Sequence, residues 1–353
     1  MPIHNFDDLI NKYDDLKVIS NNLSDCKGFT LTGIICNEMY FLPSFLAYYR
    51  RLGVERFVFI GDHSIDGTRE YLARQDDVMV LGSSNSRYSD QIDIPLSVDG
   101  SLMNIRIALF WRTLLLSKFA CDGWSLQVDA DEFICLPDKM SFHDMIPELE
   151  RNGAEAVWGV MLDMYPANIV DLQAQKKATT FDPDAPWYFD GQEHLRVRSQ
   201  EAPKHIYSGA TARLMAQLGL SKKLNIFKSI VFRLSKPLAP IYIQHPKYIE
   251  MKKPILLKWS KDKVLLTGHD INFHATPSFL LPIKHFKFTG DLYRRVTDSI
   301  AKGSHFDNSI KYRDVQRLLE KMEKKGTSFL YSRSMEASDF SHFQRTGNAV
   351  GFE

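Results

Sequence analysis

Short apolar runs alternate with segments of helical period through the first half of the chain. Residues 28–36 (GFTLTGIIC) are apolar, partly β-branched and open on a glycine, which predicts a buried strand. Pro43 suits a first helical turn and Gly53 the position just past a helix end. Between them Phe45, Leu46, Tyr49 and Leu52 form an apolar stripe at helical spacing. Residues 54–61 predict a second strand, 67–75 a helix and 77–82 a third strand. A longer helix is expected over 101–120, a fourth strand in GWSLQVDADEF (123–133), a helix over 142–153 and a fifth strand over 154–165. Strands alternating with helices predict an α/β fold, a mostly parallel sheet covered on both faces.

Residues 1–27 are polar and read as a short helix plus a lead-in to a core over 28–165. The pattern weakens from 166 to 326, a second region. There 252–260 and 263–275 predict strands of an added lobe, 280–303 a strand running into a helix, and 311–326 a charged helix with a solvated face. The polar tail, 327–353, is expected to be loosely ordered.

Composition narrows the function. With 44 Lys+Arg against 43 Asp+Glu, the net charge is +1, so no overall basic field favours nucleic acid as a partner. Cys26, Cys36, Cys121 and Cys135 form no C-x-x-C pair, which argues against a zinc ribbon and fits reduced thiols in the cytoplasm. The N-terminus lacks the features of a signal peptide, and no run approaches the length needed to span a bilayer. Lys222, Lys223, Lys228 and Arg233 are interleaved with apolar residues. That pattern suits peripheral contact with an anionic membrane, a lipid-linked acceptor, or an ordinary helix with a solvated basic face.

The candidate chemistry lies at the strand ends, where ligands of open α/β sheets bind. Asn37 and Glu38 follow the first strand, GDHSIDGT (61–68) the second, Asp129, Asp131 and Glu132 end the fourth, and Asp163 ends the fifth. At period two, Asp129 and Asp131 point to one side and Glu132 to the other. A D-x-D pair of oxygen ligands suits Mg²⁺ or Mn²⁺ bridging to a diphosphate. The plain alternative is that either aspartate caps a turn or pairs with a lysine. Asp62, directly after the second strand, suits a ribose hydroxyl, whereas Ser64 or Asp66 can cap the following helix.

IICNE, LGVERFVFIGDHSIDGT, WSLQVDADEF, KKPILLKW (252–259) and IKHFKFTGDLYRRV (283–296), in that order, resemble a bacterial branch of the glycosyltransferase family 2 superfamily. The similarity runs from about residue 29 to about residue 320. His63 and Ile65 depart from the usual second segment, which leaves the nucleotide base open. The resemblance implies a GT-A-type fold with a C-terminal acceptor-side lobe. It implies transfer of a sugar from a nucleotide-diphosphate donor to a saccharide or lipid-linked acceptor, in surface polysaccharide biosynthesis. The expected place is the cytoplasm, or the periphery of the inner face of the cell membrane. It assigns Asn37, Glu38, Asp62 and Ser64 to the nucleoside side and Asp129 and Asp131 to a Mn²⁺ or Mg²⁺ ion. A further metal ligand is expected from His285, or failing that His269, with Lys287 meeting phosphate. Arg106 and Arg112 are candidates for phosphate or sugar. An inverting reaction needs a base for the acceptor hydroxyl: Asp163 first, then Asp190 or Glu193. The rivals are a metal-dependent phosphoryl- or nucleotidyltransferase, and a non-catalytic nucleotide-sugar-binding module. The first would need a glycine-rich loop where CNEMYFLP stands.

Overall fold

The computed structural model describes residues 9–23, 28–94, 102–120, 122–191, 195–197, 205–207, 209–220, 251–273, 275–276, 278–302 and 310–352. Its strands are β1 (Leu16–Asn21), β2 (Thr30–Ile35), β3 (Arg56–Gly61), β4 (Val78–Ser83), β5 (Gln91–Ile94), β6 (Met103–Arg106), β7 (Gly123–Gln127), β8 (Glu132–Ile134) and β9 (Ala156–Asp163). They continue with β10 (Tyr188–Asp190), β11 (Leu195–Val197), β12 (His205–Tyr207), β13 (Lys252–Trp259), β14 (Leu265–Thr267), β15 (Asp270–Ile271), β16 (Leu280–His285) and β17 (Ser334–Glu336). The fold is α/β: a mixed nine-stranded sheet in the order β1-β4-β3-β2-β7-β13-β9-β16-β8, flanked by helices.

The chain divides into two compact units, and each gathers residues from several stretches: 1–133, 139–158 and 253–276 in the first, 134–138, 159–252 and 277–353 in the second. In the first unit β2, β3, β4 and β7 are mutually parallel. β2 and β3 are buried almost throughout, which is why their sequences are near-continuous apolar runs. Helix Leu42–Arg51 buries Leu42, Phe45, Leu46 and Tyr49, and Phe45 packs against Phe59 of β3. Helix Ile107–Phe119 buries Phe110, Trp111, Leu114 and Leu115 against Val58, Ile60, Met79 and Leu81. Alternate residues of β3 thus face two different helices, so the sheet is covered on both sides.

Four expectations are corrected. Residues 16–21, placed in a polar lead-in, form β1, antiparallel to β4. The long helix begins at Ile107, not 101, because Met103–Arg106 pair with Gln91–Ile94 as a hairpin. Residues 252–259 form no added lobe: β13 joins the main sheet antiparallel to β7. In the second unit, the stretch expected to be loose buries Phe329, Phe340, Phe343 and Phe352. Helix Ile310–Lys325 likewise buries Leu318, Leu319 and Met322 on one face of its charged sequence. The basic residues Lys222, Lys223, Lys228 and Arg233 lie outside the described residues. No helix among the described residues is long and apolar enough to cross a membrane.

Candidate functional site

Three parallel strand ends lie side by side in the first unit. The chain runs β2, β3, β4 one way across the sheet and then places β7 on the other side of β2. β2 and β7 therefore flank a topological switch point, where open α/β sheets take their ligands.

The loops after β2 and β3 are tied together. Asn37 Oδ1 accepts from the Ile65 N–H at 2.8 Å, and the Asn37 N–H donates to Ser64 Oγ at 3.1 Å. The Glu38 N–H donates to Thr68 Oγ1 at 2.9 Å. Asp66 accepts from Met39 N–H at 3.1 Å and from Thr68 N–H at 3.0 Å, so it holds the helix start as its turn chemistry suggested. Asn37 and Ser64, expected to face a nucleoside, use these groups to join the loops. Asn37 and His63 both have left-handed backbone, φ 58 and φ 49, unusual outside glycine. Asp62 is buried at the end of β3, with Oδ1 3.2 Å from His63 Nδ1. Glu38 is partly buried in the loop after β2.

The D-x-D does not continue its strand. β7 ends at Gln127, and the chain turns so that the Glu132 N–H donates to the Asp129 carbonyl at 3.0 Å. The Asp129 N–H in turn donates to Glu132 Oε2 at 2.9 Å. Strand period thus fails here: Glu132, expected on the opposite face, folds back onto Asp129. Asp131 lies partly buried in the same turn.

Two cations hold Asp129. Arg112 Nη2, from helix Ile107–Phe119, donates to Oδ1 at 2.5 Å. Lys253 Nζ donates to Oδ2 at 2.9 Å and to Glu132 Oε2 at 2.6 Å. Lys253 arrives because β13 sets Leu256 opposite Leu126, and the same antiparallel register carried on leads from Lys253 to Asp129. Burial alone would raise the Asp129 carboxyl, but Arg112 and Lys253 outweigh it and hold it well below the usual carboxylate range. Burial works against charge on Arg112 and Lys253 as well, yet Asp129 and Glu132 raise both, so both stay protonated. The Asp129 side chain keeps 38% exposure, so solvent screens part of this pairing.

A divalent cation needs several oxygen donors. Both Asp129 oxygens are taken, and Glu132 Oε2 accepts twice. Among the described residues no three His, Cys, Asp or Glu side chains gather as a group that could hold a metal. Asp129, Asp131 and His269 make no such group among the described residues, and the residues of this turn, paired as they are, do not fit a resident divalent ion. His269 instead sits between β14 and β15, its N–H donating to Thr267 Oγ1 at 3.0 Å. Arg106 ends β6 and does not lie on the helix where it was expected.

The remaining candidates belong to the second unit. Asp163, the last residue of β9, has Oδ1 2.8 Å from His285 Nδ1 and accepts weakly from Thr211 Oγ1 at 3.4 Å. Thr211 opens helix Ala210–Gln217, and a Cβ at the preceding Gly209 would lie 3.1 Å from Asp163 Oδ2. Burial alone would raise Asp163, but Lys287 and His285 hold it well below the usual carboxylate range. A carboxylate so stabilised stays ionised at neutral pH. Against an ionised Asp163, His285 Nδ1 is the donor, so this nitrogen is committed to Asp163 and not to a metal. Asp190 is a buried structural ion: Arg213 donates to both its oxygens, at 2.9 Å each, and Tyr165 Oη donates at 2.7 Å. Glu193 lies outside the described residues.

Sequence reasoning missed Lys253. The available signal was a lysine heading an apolar strand, since a lysine buried there needs an anionic partner. No protein-family model matches the chain, and no curated protein matches it. Fold and site together define an α/β protein with a polar sheet edge at a topological switch point.

Proposed function

We propose that the chain is a glycosyltransferase with a GT-A-type core, moving a sugar from a nucleoside-diphosphate donor to a saccharide or lipid-linked acceptor in bacterial surface polysaccharide assembly. One observation carries this reading: the ends of β3, β2 and β7 are adjacent and parallel, and they bring Asp62, Glu38 and the Arg112–Asp129–Lys253–Glu132 cluster to one edge. Buried Asp62 suits a ribose hydroxyl, and Glu38 on the neighbouring end suits the nucleoside. The β7 turn, where the charges concentrate, suits the diphosphate. Asp163 orients His285 within the second unit.

A panel of nucleotide sugars, scored by release of nucleoside diphosphate, tests the reading. Wild-type protein is expected to release diphosphate from at least one donor. Asp62→Asn is expected to weaken binding of that donor by about tenfold or more, the worth of a hydrogen bond to a charged group, with an unchanged circular dichroism spectrum. No release and no binding with any donor would overturn it.

A further inference from the structure

The hydrogen-bond inventory at the β7 turn is the reverse of what a cation needs. An ammonium has three N–H donors, and Lys253 spends bonds on Asp129 and Glu132. A guanidinium has five, and Arg112 Nη1 is buried with no hydrogen-bond partner among the described residues. On the acceptor side both Asp129 oxygens are occupied, and Glu132 Oε2 is used twice. Buried Gln127 Oε1 also lacks a partner among the described residues, but a single neutral oxygen does not make a coordination shell. The turn thus holds N–H on a charged group, Arg112, beyond those spent on its carboxylates.

We propose that Lys253 and Arg112 form the diphosphate-binding site, and that a nucleoside diphosphate binds there without a divalent ion. The proposal rests on the glycosyltransferase reading and names the groups that recognise its donor. Asp129 and Glu132 are positioning residues in it. They balance the two cations, keep them protonated inside the fold, and hold them at the end of β7. Cationic side chains stand at the turn where the D-x-D resemblance places a metal. Arginine and lysine both suit phosphate, the first through its planar fork and the second as a point charge. Asp131 adds negative charge to the turn, so metal assistance is the competing outcome.

Calorimetry on the full chain, with UDP, GDP, ADP, CDP and dTDP in EDTA and again in Mn²⁺, separates the two. The diphosphate that binds is expected to bind in EDTA about as tightly as in Mn²⁺. Lys253→Met should weaken it by about ten- to a hundredfold, and Lys253→Arg much less, because the charge is kept. If Lys253→Met does not fold, Arg112→Lys, which keeps charge but loses the fork, is expected to weaken binding in EDTA. Electron paramagnetic resonance of Mn²⁺ with the protein alone should show no bound ion. Binding seen only in Mn²⁺, or Mn²⁺ held by the protein and released in Asp129→Asn, overturns the inference and leaves the glycosyltransferase reading standing. No diphosphate bound in either buffer overturns both.

Discussion

Asp129 lies just past the end of β7 and Asp163 is the last residue of β9, and each is held as an anion, but by different means. Asp129 is held directly by two cations, Arg112 on a helix and Lys253 on β13, with Glu132 folding back across the turn. Asp163 is held by an imidazole and a hydroxyl, His285 at the end of β16 and Thr211 in the first turn of a helix, with the charge of Lys287 two residues past His285. The Asp129 side chain is 38% exposed and that of Asp163 only 5%. An exposed carboxylate between two cations can exchange partners with an incoming ion. A buried one fixed to an imidazole and a helix start is better suited to hold its neighbours still. The same residue type at a strand end is thus paired with two cations and partly exposed in one unit, and buried against an imidazole in the other.

The largest test removes the cation that the first arrangement shares. Lys253 and Glu132 are both almost fully buried, with side-chain exposures of 6% and 3%. Lys253→Met is expected to cost about 3–5 kcal/mol, because it leaves the Glu132 charge buried without its ion pair. Adding Glu132→Gln should restore much of that loss. Urea denaturation of the two single variants and the double variant checks this, and strictly additive losses would show that the pair is not coupled.

A smaller effect tests the second aspartate by pH. Asp163→Asn is expected to destabilise by about 1.5–3 kcal/mol at neutral pH, the worth of hydrogen bonds to a charged group. The folded-state carboxyl titrates below its unfolded value, so between the two values the unfolded chain binds the extra proton. The stabilisation is therefore complete above the unfolded value of about 4 and is lost as pH falls through the folded one. Urea midpoints of wild type and variant should converge below about pH 4. A constant gap down the acid limb would mean that the Asp163 charge contributes nothing.

Most of the parallel strands were legible because burial on both faces writes them as unbroken apolar runs, and Pro43 and Gly53 bracket a helix clearly. β6 was not, because four residues beside a strongly apolar helix merge into its pattern. The packed C-terminal stretch was hidden because its buried phenylalanines are scattered among polar residues. At the site, the positions of Glu38, Asp62 and Asp129 were readable, since strand ends follow from strand order. Their neighbours were not. Lys253 lies 124 residues from Asp129, and only the β13–β7 register brings them together. The turn at 129–132 likewise overrode the strand period that had sent Glu132 to the other face.

The smallest effect probes the weakest contact of the second arrangement. Thr211 Oγ1 lies 3.4 Å from Asp163 Oδ2, near the limit of a hydrogen bond, while His285 approaches Oδ1 at 2.8 Å. Thr211→Val keeps the shape and removes the hydroxyl, so it is expected to cost no more than about 1 kcal/mol. Gly209 raises the stakes slightly, because its φ of +146° and the 3.1 Å at which a Cβ there would meet Asp163 Oδ2 leave this helix start little room for another residue. If Thr211→Val costs as much as Asp163→Asn, the carboxylate is held chiefly by the helix start, and His285 is the guest in the pair. If it costs little, the imidazole and Lys287 carry the anion, and the helix start is fixed by its backbone alone. Urea midpoints of the two variants, compared at neutral pH, decide between these.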